Sequence, residues 1–438
     1  MTETLVQLLP LAKVLLAFGA MLLGLRLKKP LWLAVLAGGF LLALSFGMSP
    51  LAWLGVASRS LFQRDTVYLV IILALILFLS EVLDKSGQTA RLMRAATGYL
   101  RNPRLRLAFF PALVGFLPMP GGAVFSAPMV RDMADGLGLK RRDTALVNYW
   151  FRHLWELCWP LYPGIILASS LAGVPLARLI VYTLPCIGLC VLLGWVFIMR
   201  PAVAHLDKRQ PATSAAVHST GIAENPRNLG DALYQGLPML IAITCGLGFE
   251  VGMTLYAPGW PFELGITAAL LLAITCSLAQ NRVGPGFVAG VLRDKELYKL
   301  IALVAAILMF KDVLQASGAV QQLAGVAGGR GALFALTVGL PFLVGLISGI
   351  TVAFVGSTFP IILGVLHNLG AADQLLPHLT LALFSGFTGV MVSPLHVCFL
   401  LSCEFFGVDV AAAWRRLLWP CGLLFASGVG WFLLLTRL

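Results

Sequence analysis

"LPMPGGAVFSAP", residues 117–128, interrupts an apolar stretch long enough for a membrane helix with three prolines and a double glycine. Proline removes an amide donor and glycine admits left-handed backbone, so a stretch of this kind breaks a helix rather than extending it. The chain is basic on both sides of the break. Lys85, Arg91, Arg94, Arg101, Arg104 and Arg106 precede it, and Arg131, Lys140, Arg141 and Arg142 follow it. Because Lys and Arg hold short loops on the cytoplasmic side, both ends of residues 105–135 are expected on one face of the bilayer. The segment therefore reads as a re-entrant hairpin that turns at Pro118, Met119, Pro120, Gly121 and Gly122.

The rest of the 438-residue chain agrees with a membrane setting: 59% of residues are hydrophobic and 11% charged, with a mean hydropathy of +0.91. Apolar runs near the roughly 18 residues needed to cross hydrocarbon recur from Leu5 to Leu435, so no sizeable soluble domain is expected. The first segment has neither a basic leader nor a small-residue cleavage site and reads as a first span. A net charge of +12 belongs to basic loops rather than to nucleic-acid binding. The eight cysteines show no CxxC pair and read as small packing residues, with no metal site expected. Only residues 201–232 have the polar, Pro/Ser/Thr-rich character of a flexible linker, and they divide the chain into halves at 1–200 and 233–438.

The halves resemble each other. "LILFLSEVLDKSGQTARL" (75–92) aligns without a gap on "AILMFKDVLQASGAVQQL" (306–323), "FPALVGF" (110–116) on "LPFLVGL" (340–346), and "WPLYPGIILASSLAGV" (159–174) on "SPLHVCFLLSCEFFGV" (393–408). Each half is expected to hold five spans and one hairpin. The spans fall near 5–26, 31–55, 67–84, 143–172 and 176–199, then 233–256, 261–279, 298–314, 378–406 and 412–435. An odd number of crossings makes the second copy upside down. Its hairpin, 332–366, breaks at "ISGIT" and is expected to open outward, whereas the first opens to the cytoplasm. Both termini are then extracytoplasmic, and residues 85–101 form an interfacial helix with Arg91 and Arg94 on its wet face. The fold class is an all-α polytopic membrane protein of two inverted-topology repeats.

Irregular backbone at membrane depth is tolerated only where protein buries it or where it lines a wet cavity. Hairpin tips expose helix N-termini that favour anions, while prolines release carbonyls suited to sodium: Pro118 that of Val114, Pro120 that of Phe116. Each penultimate span carries a matching break, "CWPLYP" (158–163) and "VSPLH" (392–396), where Pro160, Pro163 and Pro394 free the carbonyls of Glu156, Trp159 and Val390. Discontinuous helices in corresponding positions point to a binding site. Before the first break, Asn148, Arg152 and Glu156 are spaced by four on one helical stripe beside His153. They read either as a self-neutralising Arg152–Glu156 pair or as an anion-attracting Arg152 with Glu156 or His153 taking a coupling proton. Trp159 and Tyr162 at this break, Ser126 in the first hairpin, and Ser348, Gly349 and Thr351 at the second tip complete the first set of candidates. The second half offers Ser385, Thr388, Ser393 and His396. Glu81, Lys311 and Asp312, near span ends, read as structural.

The SG-ended spans at 86–87 and 317–318, each followed by a Gly/Pro-tipped hairpin and a proline-broken helix, resemble the ion transporter superfamily of dicarboxylate, citrate, gluconate and TRAP-type carriers. "FLPMPGGAVFSAP" with "SPLHVC" is most similar to its branch called domain of unknown function four-zero-one. The resemblance implies an elevator-like movement, with sodium or proton coupling at the tips. It places the site at Pro118 to Ala123, Ser348 to Thr351, Trp159 to Pro163 and Ser393 to His396. The Ser-Asn-Thr signatures of the dicarboxylate branch are absent, so neither carboxylate specificity nor sodium use transfers.

The function expected is secondary active transport of a small anionic solute, such as a carboxylate, across a bacterial-type inner membrane, coupled to Na+ or H+. A cation/proton antiporter without organic substrate is the alternative. An intramembrane enzyme using Ser126 or Ser348 with His153 or His396 is a third reading, which lacks HExxH and GxSxG motifs. No cofactor and no nucleic acid are expected; the partners are the solute, the lipid bilayer and a second copy in a homodimer.

Overall fold

A computed structural model describes residues 2–27, 29–97, 102–116, 122–204, 229–256, 260–319, 321–322 and 329–437. The described residues contain helices and connecting turns and no strand. The first half comprises α1 (Thr2–Arg26), α2 (Leu31–Ser45), α3 (Pro50–Leu61), α4 (Arg64–Lys85), α5 (Gln88–Thr97), α6 (Pro103–Val114), α7 (Ala123–Leu137), α8 (Arg141–Arg152), α9 (Pro163–Ala172), α10 (Leu176–Thr183), α11 (Pro185–Leu193) and α12 (Arg200–Val203). The second comprises α13 (Leu229–Tyr256), α14 (Phe262–Asn281), α15 (Pro285–Leu292), α16 (Lys295–Ala316), α17 (Arg330–Ser348), α18 (Thr351–Asn368), α19 (Leu375–Val392), α20 (Val397–Phe406) and α21 (Val410–Leu435). Eight helical stretches among the described residues are long and apolar enough to cross a membrane. Leucines stand outward along α1, and Leu51 and Trp419 are 80% and 75% exposed. Apolar side chains presented this freely face lipid, and the chain is a multi-pass membrane protein.

Stretches that align in sequence take the same backbone turn. α4 and α16 end at Ser86 and Ser317, whose hydroxyls donate to Leu83 O and Leu314 O, and the next residues, Gly87 and Gly318, have φ of 71° and 72°. Likewise α9 and α20 end on Gly173 and Gly407, both at φ 62°. These left-handed caps need glycine because a Cβ would crowd the backbone. Packing is paired as well: α1 lies on α2 as α13 lies on α14, and α2 meets α16 as α14 meets α4. The second hairpin arm of each half, α7 or α18, packs on the distal broken helix of the other half, α20 or α9.

Three expectations change. The span at 31–55 stops at Ser45 and restarts as α3, because Gly47 is left-handed (φ 87°) and Ser49, capping Ala52 N, with Pro50 starts a new helix. Both edges of the expected 201–232 linker are helical, to Val203 and from Leu229, and its residues 205–228 lie outside the described residues.

The third concerns α5, where Arg94 is exposed but Arg91 turns inward. Its guanidinium donates to Gln235 Oε1 (3.1 Å), Ser86 O (3.0 Å) and Asn281 Oδ1. Beside it the buried Gln88 amide donates to Gln235 O and Gln280 Oε1 and accepts from Ser277 and Asn281. These bonds key α5 to α13 and α14, so Arg91 faces that contact and not the wet face expected for it. The Glu81–Lys85–Asp294 chain, at 3.0 and 2.8 Å, adds a salt link there, in keeping with a structural Glu81. Gln88→Leu should therefore lower stability by about 1–3 kcal/mol for each polar group left stranded. A thermal melt of the purified protein in detergent would show this as an earlier unfolding midpoint.

Candidate functional site

The first broken helix ends sooner than its prolines require. α8 stops at Arg152, and residues 153–162 wind through open turns until Pro163 starts α9. One cause is His153. In a continuing helix Tyr149 O would accept the amide of His153, but here it accepts from His153 Nδ1 at 2.7 Å while that amide turns to Trp150 O. Two aromatic side chains beyond the break then serve the first hairpin: Trp155 Nε1 donates to Ala112 O and Tyr162 OH to Gly115 O, each at 2.8 Å. The expected stripe of Asn148, Arg152 and Glu156 is thus corrected, because Glu156 lies past the helix end.

Arg152 answers the question of the freed carbonyls. Its guanidinium donates to Val114 O at 3.3 Å and packs against Gly122, where any Cβ would overlap it. A fixed cation therefore holds the carbonyl where sodium was expected at the first tip. Two further carbonyls predicted to be free, those of Trp159 and Val390, accept the amides of Tyr162 and Ser393. Pro118, Met119, Pro120 and Gly121 lie outside the described residues.

The second tip closes against both breaks. Gly349 turns with φ 63°, and a Cβ there would sit 2.9 Å from the His396 Cα. Its carbonyl accepts from His396 Nδ1 at 2.7 Å. Thr351 donates its hydroxyl to Glu156 Oε1, and its methyl occupies the space left by Gly164. Ser393 Oγ accepts from Leu395 N at the turn, and Ser348 donates back to Val344 O. Between the two breaks His153 Nε2 and His396 Nε2 approach to 2.9 Å, with the Tyr149 ring beside both. Arg152, His153, Glu156 and His396 are 3%, 4%, 7% and 7% exposed, so these ionisable groups are held inside the protein, where charge is costly unless paired.

Other candidates sit elsewhere. Ser126 donates to Asn148 Oδ1 (2.6 Å), and Asn148 Nδ2 donates to Ala123 O and Ser402 Oγ (both 3.0 Å), a knot tying α7, α8 and α20 together. Ser385 donates to Val338 O across the α17–α19 contact, and Thr388 donates to Phe384 O within α19, so neither hydroxyl is bonded to the central groups in this arrangement. Three residues escaped the sequence reading. Tyr149, whose hydroxyl donates to Met391 O, and Trp155, which donates to Ala112 O, were not among the candidates. Cys398 looked like packing, yet its Sγ and the two histidine nitrogens lie within 4.8 Å of one another; the His-x-Cys spacing after "SP" was the available signal.

Irregular backbone from both halves of a polytopic membrane chain, gathered around buried ionisable groups, defines the class. The chain belongs to the family described as "Protein of unknown function (DUF401)", which matches residues 10–436. Comparison with curated proteins gives no match.

The contact of Gly122 with Arg152 is directly testable. Gly122→Ala should cost about 1–3 kcal/mol, as overpacking does, because the added methyl pushes the guanidinium off Val114 O. Gly188→Ala, with open space around its Cα, should melt with the parent protein in the same assay.

Proposed function

We propose that this protein is a secondary active transporter for a small anionic solute, coupled to Na+ or H+, working by an elevator-like movement of two inverted repeats in the inner membrane. The observation that carries the reading is the convergence at one buried centre of the second hairpin tip with both broken helices, through Thr351–Glu156, His396–Gly349 and His153–His396. The matched caps and the reciprocal packing of α7 on α20 and α18 on α9 support a duplicated, inverted plan. The first hairpin arms, of 12 and 15 residues, reach about 18 and 22 Å at 1.5 Å per residue, short of a roughly 30 Å hydrocarbon core.

An anion is favoured by the buried Arg152 and by Trp159, whose Nε1 is a buried donor without an acceptor among the described residues. Such an orphan is costly unless a ligand completes it. The Phe116 ring lies 4.4 Å from Trp155 and 4.2 Å from Trp159 between centroids, giving this wall an apolar face beside the donor. The buried Glu156 favours the second reading, a cation/proton antiporter, in which the carboxylate itself carries the exchanged ion. A serine hydrolase receives no support from geometry, since Ser126 and Ser348 donate to Asn148 and to Val344 O.

Proteoliposomes offered labelled organic acids from outside, with and without sodium or proton gradients, separate the readings. Gradient-driven uptake is expected, and Trp159→Phe should raise KM about tenfold, the worth of one hydrogen bond to a charged group at about 1.5 kcal/mol. Proton flux that needs sodium alone and no organic solute would instead establish the antiporter.

A further inference from the structure

The two central histidines present an electrostatic problem. Each Nδ1 faces a backbone carbonyl, Tyr149 O for His153 and Gly349 O for His396, both at 2.7 Å. A carbonyl oxygen only accepts, so each Nδ1 carries the hydrogen, and the neutral ring then presents a bare lone pair at Nε2. Two such lone pairs 2.9 Å apart repel unless an electron-pair acceptor joins them. The third group is a sulfur: Cys398 Sγ lies within 4.8 Å of a ring nitrogen of each histidine, and all three residues are buried.

We propose that His153 Nε2, His396 Nε2 and Cys398 Sγ form a binding site for one borderline or soft transition-metal cation, of which Zn2+ is the representative. Two imidazoles and a thiolate select such a cation over Na+, Mg2+ or Ca2+, which prefer oxygen. Rings whose far N–H is anchored on a backbone carbonyl are the usual support of metal-bound histidine, fixing tautomer and direction. A shared proton would satisfy the two nitrogens alone, whereas a metal ion engages the sulfur as a third ligand. Nitrogens held about 2.0–2.1 Å from a tetrahedral zinc stand roughly 3.3 Å apart, so the rings need separate by only a few tenths of an ångström. Binding releases the Cys398 thiol proton, leaves both imidazoles neutral and keeps a fourth position open to water or a solute oxygen. One ligand comes from the first half and two from the second, and His396 holds the second hairpin through Gly349. The ion therefore clasps the halves where the tip meets both breaks.

The test needs no transport and stands apart from the transport reading. Full-length protein in detergent, stripped with chelator and titrated with Co2+, should take up one equivalent per chain and show a thiolate-to-cobalt charge-transfer band. Cys398→Ser should abolish that band, and His153→Gln should weaken Co2+ affinity by more than the roughly 10- to 100-fold that loss of an outer-shell partner costs. Cys276→Ser, on α14, should keep both. The folded state of each variant is checked by its melting midpoint, and the wild-type titration decides even if a variant misfolds. A wild type that binds no stoichiometric Co2+, or a band that survives in Cys398→Ser, overturns the site; the first result would leave a single shared proton between the rings.

Discussion

Carbonyls exposed by interrupted helices dominate this structure, because hydrocarbon satisfies none of them. Each break is stabilised by a side chain from a neighbouring element, most of them aromatic or cationic donors. Arg152 serves Val114 O and Tyr162 serves Gly115 O on the first hairpin; His396 serves Gly349 O on the second. Tyr149 and Trp414 take Met391 O and Val392 O at the end of α19, and Thr183 takes Leu157 O within the first break. Partners that lie far apart in the sequence lock the hairpins and broken helices into one unit.

Glycine makes the close approaches possible. Gly115 rests against the backbone of Arg152, and the aligned Gly345 rests against that of Gly386, so each first hairpin arm presses on the helix before its own half's break. Gly389 and Gly194 play the same part for Phe342 O and the Trp150 indole. At Gly194 the helix relaxes into a π-helical stretch, and Trp150 Nε1 donates to Cys190 O at 2.8 Å. Such an inserted donor is a common cause of an irregular turn inside a membrane helix.

The two halves share this backbone plan and differ in chemistry. The first contributes Arg152, Glu156 and an aromatic wall; the second contributes a hydroxyl, an imidazole and a thiol. Glu156 meets Thr351, and His153 meets His396, so polar groups from the two halves complete one another. A centre assembled from both halves responds to any displacement of one against the other, as the proposed transport function would require.

Proline and glycine placement made the paired breaks at 158–163 and 392–396 and the turn at Gly349 legible, because these residues act through local backbone sterics that need no tertiary partner. Hydropathy likewise made the membrane setting legible. Local pattern could not tell that α8 ends at Arg152, since that end depends on the His153 ring displacing its own amide from Tyr149 O and on Trp155 and Tyr162 finding carbonyls in α6. Nor could it turn Arg91 inward, place Arg152 on a carbonyl meant for sodium, or bring Cys398 beside two histidines, because each depends on a partner distant in the chain. Spacing along one helix records which residues share a face, whereas the meeting of broken helices is decided by which donors are near enough to satisfy stranded carbonyls once the chain has packed.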